Sequence, residues 1–387
     1  MSTAYGISEQ PARLPLACIT IASALGIAVF FTLYSLVPVS RADTPQVASA
    51  FAGVMMAFVM VVQPATPGLV RRLGLRTVMM TSLLVMSAGV VAVGMAEQIG
   101  WLLVGGAVAG IGTGVVVVAG AQGVGILRPG PRLSRALGTY GLVTMLSSAI
   151  GAPVGVHLGL TVSLPGLAVA AAVACLVGAV ASFGIPNGTG RSAPASPTGN
   201  GGGDAAGPPS GQARALVPTL ALLLCAVLLL SYGLSGVPVL SRDLVNPALI
   251  VLAVQLGNAA GRGLGGIIEP RLSTGRTVLV ALVLLTIGTL ASAVADRSAT
   301  AWAAALVLGV AIGMVQTVAL HAAMRRAGPG RASVLWNLTI DAGLWSGGVL
   351  TGLALAHGLG TVGSLAILVA SAAAGLALMR QARVTHD

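Results

Sequence analysis

Apolar residues along this chain come in long unbroken runs, not in the alternating or three-to-four spacing of half-buried elements. Twelve such runs can be drawn, roughly 15–38, 46–68, 77–96, 101–126, 136–159, 164–185, 215–238, 246–268, 277–295, 300–324, 332–356 and 359–380, separated by short joints that carry Gly, Pro and Arg. A helix rises ~1.5 Å per residue and about 20 apolar residues cross a bilayer, so each run predicts a transmembrane helix. The expected fold class is therefore all-α and integral to the membrane, with twelve spans. The joints carry the orientation. With a cytoplasmic N-terminus, sixteen of the 20 arginines fall in inner segments and three (Arg41, Arg242 and Arg297) in outer loops, while Arg262 sits at the inner end of the eighth span. Basic loops stay on the cytoplasmic side, which predicts a multi-pass protein of the cell (inner or plasma) membrane with both termini in the cytoplasm. The first apolar run is too long for a cleaved signal peptide, so the N-terminus is expected to remain.

Between the sixth and seventh spans lies a different composition. NGTGRSAPASPTGNGGGDAAGPPSGQAR, residues 187–214, has too little apolar surface to order itself and reads as a flexible cytoplasmic linker. Its GNGGGD lacks the lysine and the strand–helix context of a phosphate loop. The expected domains are thus 1–186, the linker 187–214, and 215–387. The two halves echo each other: LYSLVPVSRAD (33–43) matches SYGLSGVPVLSRD (231–243), pairing Tyr34 with Tyr232 and Pro38 with Pro238. GLRTV (74–78) matches GRTV (275–278), Trp101 and Gly112 recur as Trp302 and Gly313, and Gly151 recurs as Gly347. The order and a nearly constant offset predict two six-helix bundles related by a parallel repeat, hence by a pseudo-two-fold axis.

Composition sharpens this without changing it. The chain is 56% hydrophobic and 7% charged, with 54 glycines and 3% aromatics; its mean hydropathy is +0.97. Such values exclude a soluble domain and suit closely packed membrane helices. The net charge of +11 comes entirely from arginine; it follows topology, so nucleic acid is not the expected partner. Cys18, Cys175 and Cys225 lie in apolar runs without metal spacing. No metal, cofactor or catalytic residue is expected.

The chemistry gathers in Gly330–Leu355. Asn337, Asp341 and Trp345 are spaced i, i+4, i+8 and share one helix face; Gly343, Gly347 and Thr351 form a second stripe where a neighbour could approach closely. A carboxylate in the bilayer is costly unless it meets a cavity, a partner or a proton. Asp341 is the one acid the pattern places inside the membrane. Since desolvation favours the protonated form of a carboxyl, Asp341 is the candidate for proton coupling; the structural alternative is a partner for Arg262 or for a helix end. His157 is a second candidate, near the outer end of the fifth span, and His321 lies at the inner end of the tenth. Other polar residues within spans are Tyr34, Gln63, Gln122, Tyr232, Gln255, Asn258, Gln316 and Asn337. Of these, Tyr34, Tyr232, Gln255, Gln316 and Asn337 are the substrate-binding candidates, because aromatic and amide groups suit a neutral or amphiphilic organic molecule.

PGLVRRLGLR (67–76) resembles the signature after the second helix of the major facilitator superfamily of secondary transporters, roughly G-x-L-a-D-R-x-G-R-R. Arg72, Gly74 and Arg76 fit; Pro67 stands for its first glycine and Arg71 for its aspartate. GRGLGGIIEPRLSTGR (261–276), with Arg262 and Arg271, resembles the second-half copy. The resemblance covers nearly the whole chain and implies two rocking six-helix bundles, with the arginines of these loops at the gate. Helix five, SSAIGAPVGVHLG, is similar to the Gly-Pro signature of the family's proton-coupled exporters through Gly151, Pro153, Gly155 and Gly159. RASVLWNLTIDAGLWSGG resembles the eleventh helix of sugar-efflux and drug-efflux (arabinose efflux permease-like) members.

The function expected is secondary transport of a small neutral or amphiphilic organic molecule, a drug, sugar or metabolite, by proton-coupled export through alternating access. The partners expected are that substrate, protons and the lipid bilayer, and the chain is expected to act as a monomer. Uptake is the alternative. Gly233-Leu234-Ser235-Gly236 also spells the Gly-x-Ser-Gly of intramembrane serine proteases, a reading that the doubling of the chain makes unnecessary.

Overall fold

The computed structural model describes residues 13–40, 45–161, 164–191, 210–241 and 243–384; within them, the side chains of residues 152–161 and of a few others lie outside the described set. The elements are α1 (Arg13–Ser40), α2 (Pro45–Val62), a 3-10 turn (Gln63–Ala65), α3 (Thr66–Leu73), α4 (Leu75–Gly94), α5 (Ile99–Leu127), α6 (Leu133–Thr161), α7 (Leu164–Ala181), α8 (Ser210–Ser231), a π turn (Tyr232–Gly236), α9 (Val237–Leu240), α10 (Pro247–Leu272), α11 (Thr274–Ala293), α12 (Ser298–Ala356) and α13 (Gly360–Val384). The second predicted span is thus two helices joined by a turn that contains Pro64, and the seventh is broken by the π turn. The tenth and eleventh run together as α12, which folds at Gly328 (φ 74°, ψ 162°) just before Pro329. Positive φ is open to glycine, and the proline then starts the second arm. The arms lie side by side, because the Trp336 indole N–H donates to the Gln316 carbonyl at 3.0 Å. Nine helical stretches among the described residues are long and apolar enough to cross a membrane, α12 counting once; α6 and α10, of 29 and 26 residues, are not among them.

Large apolar side chains such as Trp101, Val169, Val180, Phe183, Val283 and Val369 point outward, each more than half exposed. On a water-soluble protein these would be a liability; facing lipid they match their solvent. Inside, Val29, Phe51, Met86 and Cys175 pack in the first half. Leu222, Tyr232, Ile250, Leu285 and Leu308 pack in the second. A third cluster, including Leu75, Tyr140, Val227, Ala323 and Trp336, joins the halves.

The repeat is tighter in space than in sequence. A Cβ on Gly110 would meet the Met55 carbonyl oxygen and one on Gly309 the Val254 carbonyl oxygen; Gly114 and Gly313 stand in the same way against Val59 and Asn258, and Gly89 and Gly288 against Ala109 and Leu308. All these pairs keep a spacing of 199 residues (110 to 309, 55 to 254, 59 to 258). Helix starts agree: α4 begins after Gly74 and α11 after Ser273, both at positive φ. The identities read in sequence are therefore one or two residues out of register. Gly313 repeats Gly114 rather than Gly112, and Arg276-Thr277-Val278 sits one residue past the place of Arg76-Thr77-Val78. Burial and backbone approach set the register, and three matching letters do not.

The joint 187–191 is ordered where a linker was expected. Gly188 and Gly190 adopt positive φ, and the Thr189 carbonyl accepts the otherwise unpaired Leu75 N–H of α4 at 2.8 Å. At the other end, α8 begins at Ser210, ahead of the expected boundary at 215.

A Cβ added at Gly309 would overlap the Val254 carbonyl oxygen. Gly309→Val should force α10 and α12 apart, costing roughly 1–3 kcal/mol, whereas Gly53→Ala, with nothing within 4 Å, should be neutral. Melting curves in detergent check this; equal midpoints for the two variants contradict it.

Candidate functional site

A cavity of about 480 Å³ lies between the halves, the size of a small organic ligand. The first half contributes Phe30, Phe31 and Tyr34 from α1, Met56 and Val59 from α2, Thr113 and Val117 from α5, and Tyr140 and Thr144 from α6. The second contributes Ser231 from α8, Gln255, Asn258 and Arg262 from α10, and Gln316, Trp336, Asn337, Asp341 and Trp345 from α12. Two periodicities produce this lining. On α10 the polar residues 255, 258 and 262 follow i, i+3, i+7; on the far arm of α12 the residues 337, 341 and 345 follow i, i+4, i+8. The glycine stripe of α12 turns instead toward α8, with Gly343 against Val227 and Gly347 against Ser231 and Leu228.

Asp341 is not paired with Arg262. Its Oδ2 accepts the Gln63 amide N–H at 2.7 Å, a bond from the first half of the chain to the second. Gln63, itself fully buried in the 3-10 turn, occupies the position that Arg262 holds in the repeat, 199 residues on. Of the two structural partners expected for Asp341, Arg262 is not the one: an amide across the interface holds the acid. Arg262 is 5% exposed. Its Nε–H donates to Gln316 Oε1 at 2.7 Å and its guanidinium carbon lies 5.0 Å from the centre of the Trp336 ring, within reach of a cation–π interaction. The arginine fits beside α6 because Gly141 has no side chain: a Cβ there would stand 2.7 Å from Arg262 Cδ. Beside it, both the oxygen and the nitrogen of the Asn258 amide are buried without a hydrogen-bond partner.

The substrate-binding candidates divide. Tyr34 lines the cavity and stacks on Phe30 with ring centres 5.7 Å apart. Gln255, Gln316 and Asn337 also line it, Asn337 with its amide N–H donating to the Ser333 carbonyl at 2.8 Å. Tyr232 does not: it is 2% exposed, packed in the core of the second half. It opens the π turn, whose wider winding breaks the register of its apparent mate Tyr34 and leaves Leu230, Ser231 and Leu234 facing the cavity. Pro153, Gly155, His157 and Gly159 lie in the stretch of α6 whose side chains are outside the described set. Gly151 is described, and it brings α6 against Ala28 of α1, where Thr32 Oγ1 donates to its carbonyl at 2.9 Å.

At the arginine-rich end the halves meet through glycines. A Cβ on Gly138 of α6 would stand 2.7 Å from Gly266 Cα of α10, and one on Gly125 of α5 would stand 2.8 Å from Pro329 Cβ of α12. One turn further on, a second buried acid appears. Glu269, 3% exposed, accepts Ser134 Oγ–H from the first half at 2.5 Å and Thr274 Oγ1–H at 2.8 Å. His321 Nδ1 lies 2.8 Å from its Oε1. Asp341 is therefore not the sole buried acid. The eighth span does not end at residue 268; α10 continues through Pro270 to Leu272. The loop arginines point elsewhere. Arg76 donates to the Ile185 and Phe183 carbonyls at 2.6 Å each, and Arg191 donates to the Arg72 carbonyl at 3.2 Å; these contacts tie the first half to itself. Gly74 supplies the positive φ of the turn, and Arg71, Arg72 and Arg271 are exposed. Only Arg262 among these residues reaches the cavity.

The Major Facilitator Superfamily model matches residues 16–351. The fold is similar to that of the human organic anion transporter MFSD10 (TETRAN), at 17% identity over 95% of this chain and 99% of that one, with a TM-score of 0.74. It is similar also to the fucose:proton symporter FucP of E. coli, at 14% identity over 95% of this chain and 98% of that one, TM-score 0.72, and to FucP in the outward conformation, TM-score 0.70. No curated protein sequence matches. Likeness at such identity speaks for the fold; the family match, which covers most of the chain, speaks for membership. A doubled helical chain with a cavity between its halves, matched by this model over that length, belongs to the major facilitator superfamily and is a membrane transporter, not an enzyme.

Proposed function

We propose that this transporter moves a small amphiphilic organic molecule across the cell membrane in exchange for, or together with, protons, by alternating access of the central cavity. The observation that carries the reading is the Gln63–Asp341 hydrogen bond, a buried acid held across the interface between halves within the lining of the cavity. A protonation change at Asp341 alters a contact that must be remade whenever the halves rock, which links proton and substrate movement. Reading α6, α10 and both arms of α12 as crossings gives the twelve spans of the hydropathy pattern, and the arginine distribution supports a cytoplasmic Glu269 end. The contact of Gly138 with Gly266 then seals the cytoplasmic floor. Export is the direction proposed, on the resemblance of α6 and of the far arm of α12 to exporter sequences; uptake is the second reading. The serine-protease alternative falls with the family assignment.

In liposomes containing the reconstituted protein, Asp341→Asn should abolish flux driven by an imposed pH gradient while substrate counterflow continues. Unchanged pH-driven flux removes Asp341 from the mechanism. Glu269→Ala should free Ser134, Thr274 and His321 and loosen the floor, raising amide hydrogen exchange across residues 130–140 and 262–272 by roughly tenfold, since each hydrogen bond to a charged group contributes about 1.5–3 kcal/mol. Exchange equal to that of the unaltered protein means that the floor is closed by the glycine contacts alone.

A further inference from the structure

The cavity holds one cation and one acid that do not touch as an ion pair, and this fixes the kind of substrate it can take. We infer that Arg262 is the anchor for an anionic group, so that the cargo is an amphiphilic organic monoanion, such as a carboxylate on an aromatic or alkyl body, and that it binds together with a proton on Asp341. The inference rests on the transport reading above and names the substrate class of the same site.

Arg262 has no carboxylate within ion-pair distance among the described residues. Its Nε–H is used by Gln316, which leaves the two terminal nitrogens of the guanidinium fork, the part that matches a carboxylate in bidentate geometry. Glu269, two helical turns away on the same face of α10 (about 10 Å at helical rise), has its oxygens taken by Ser134, Thr274 and His321. A buried cation without a charged partner is costly, and a bound anion relieves the cost. Next to it, the unpartnered Asn258 amide offers a further donor within the same lining. The rest of the wall, with Phe30, Phe31, Tyr34 and Trp336, is apolar and aromatic, which suits the body of the molecule.

The charges then set the coupling. The titratable or charged groups facing the cavity are Tyr34 from α1, Tyr140 from α6, Arg262 from α10 and Asp341 from α12; the lining residues of α2, α5 and α8 contribute none. Gln63, which holds Asp341, is a neutral amide. With Asp341 ionised the charges of Arg262 and Asp341 cancel across the cavity. With Asp341 protonated the cavity has a net charge of one cation and accepts one anion. Proton and anion therefore favour each other and travel in the same direction, as free acid in all but name, where the exporter resemblance implies exchange. Outward flux then requires an outward gradient of the acid, and an inward proton gradient drives uptake, so this coupling favours the second of the two directions given above.

The test is tryptophan quenching of the purified full chain, since Trp336 lies against the guanidinium, with benzoate, phenylacetate and decanoate as probes and phenylacetamide and decanamide as neutral counterparts. At mildly acidic pH at least one acid should bind roughly tenfold or more tighter than its amide, equivalent to one unit of linked pKa. Acid affinity should weaken as the pH rises to neutral, and amide affinity should stay constant. Arg262→Gln should erase the preference for the acid; Arg262→Lys, which keeps the charge, should retain part of it and covers the case in which the glutamine variant does not fold. Asp341→Asn should bind the acid tightly at both pH values. Equal binding of acids and amides, or no binding of any acid in the panel, overturns the inference. Acid-selective binding without pH-driven flux in liposomes would instead defeat the transport reading, so the two failures are distinct.

Discussion

A lone guanidinium buried in a membrane protein is among the more costly things a fold can hold, and much of this structure is arranged around Arg262. Gly141 clears the space for its stem, Gln316 takes one of its donors, and the Trp336 ring faces its charge. Trp336 is itself fixed by the Gln316 carbonyl, which in turn requires the two arms of α12 to fold together at Gly328. The chain thus commits a glycine, an amide, an indole and a helix reversal to keeping one charge in place without neutralising it.

The same economy explains the two acids. Asp341 is held by Gln63, an amide that can bond either protonation state of a carboxyl, whereas Glu269 is held by two hydroxyls and an imidazole. The first faces the cavity and the second lies in the floor. In the repeat, Gln63 and Arg262 occupy corresponding places, so a neutral amide supports the acid where its counterpart guanidinium faces the cavity. The two halves share one frame, and the difference at this pair of positions makes the cavity asymmetric in charge.

Much of this could be read before any coordinates. The i, i+4, i+8 face of Asn337, Asp341 and Trp345 lines the cavity because helical periodicity holds along an uninterrupted arm. Tyr232 shows where that reasoning stops: its match to Tyr34 is real in letters, but a π turn changes the winding at that residue, and no short pattern announces it. Glu269 escaped because Pro270 and Arg271 look like the end of a span; its spacing of seven residues from Arg262 was the available signal, since that places both on one helix face. The register of the repeat was off by one or two residues because close glycine contacts, invisible in a string of small residues, are what align the halves.

The claim on which the rest depends is that anion and proton occupy the cavity together, and the most direct measurement is the proton count on binding. Isothermal titration of the purified protein with an acid that it binds, repeated near neutral pH in buffers of differing ionisation enthalpy, reads that count from the slope of heat against buffer enthalpy. Protons should be taken up, approaching one per molecule bound, and none should be taken up in Asp341→Asn. Binding of the acid with no change in protonation, or with release of a proton, would contradict it.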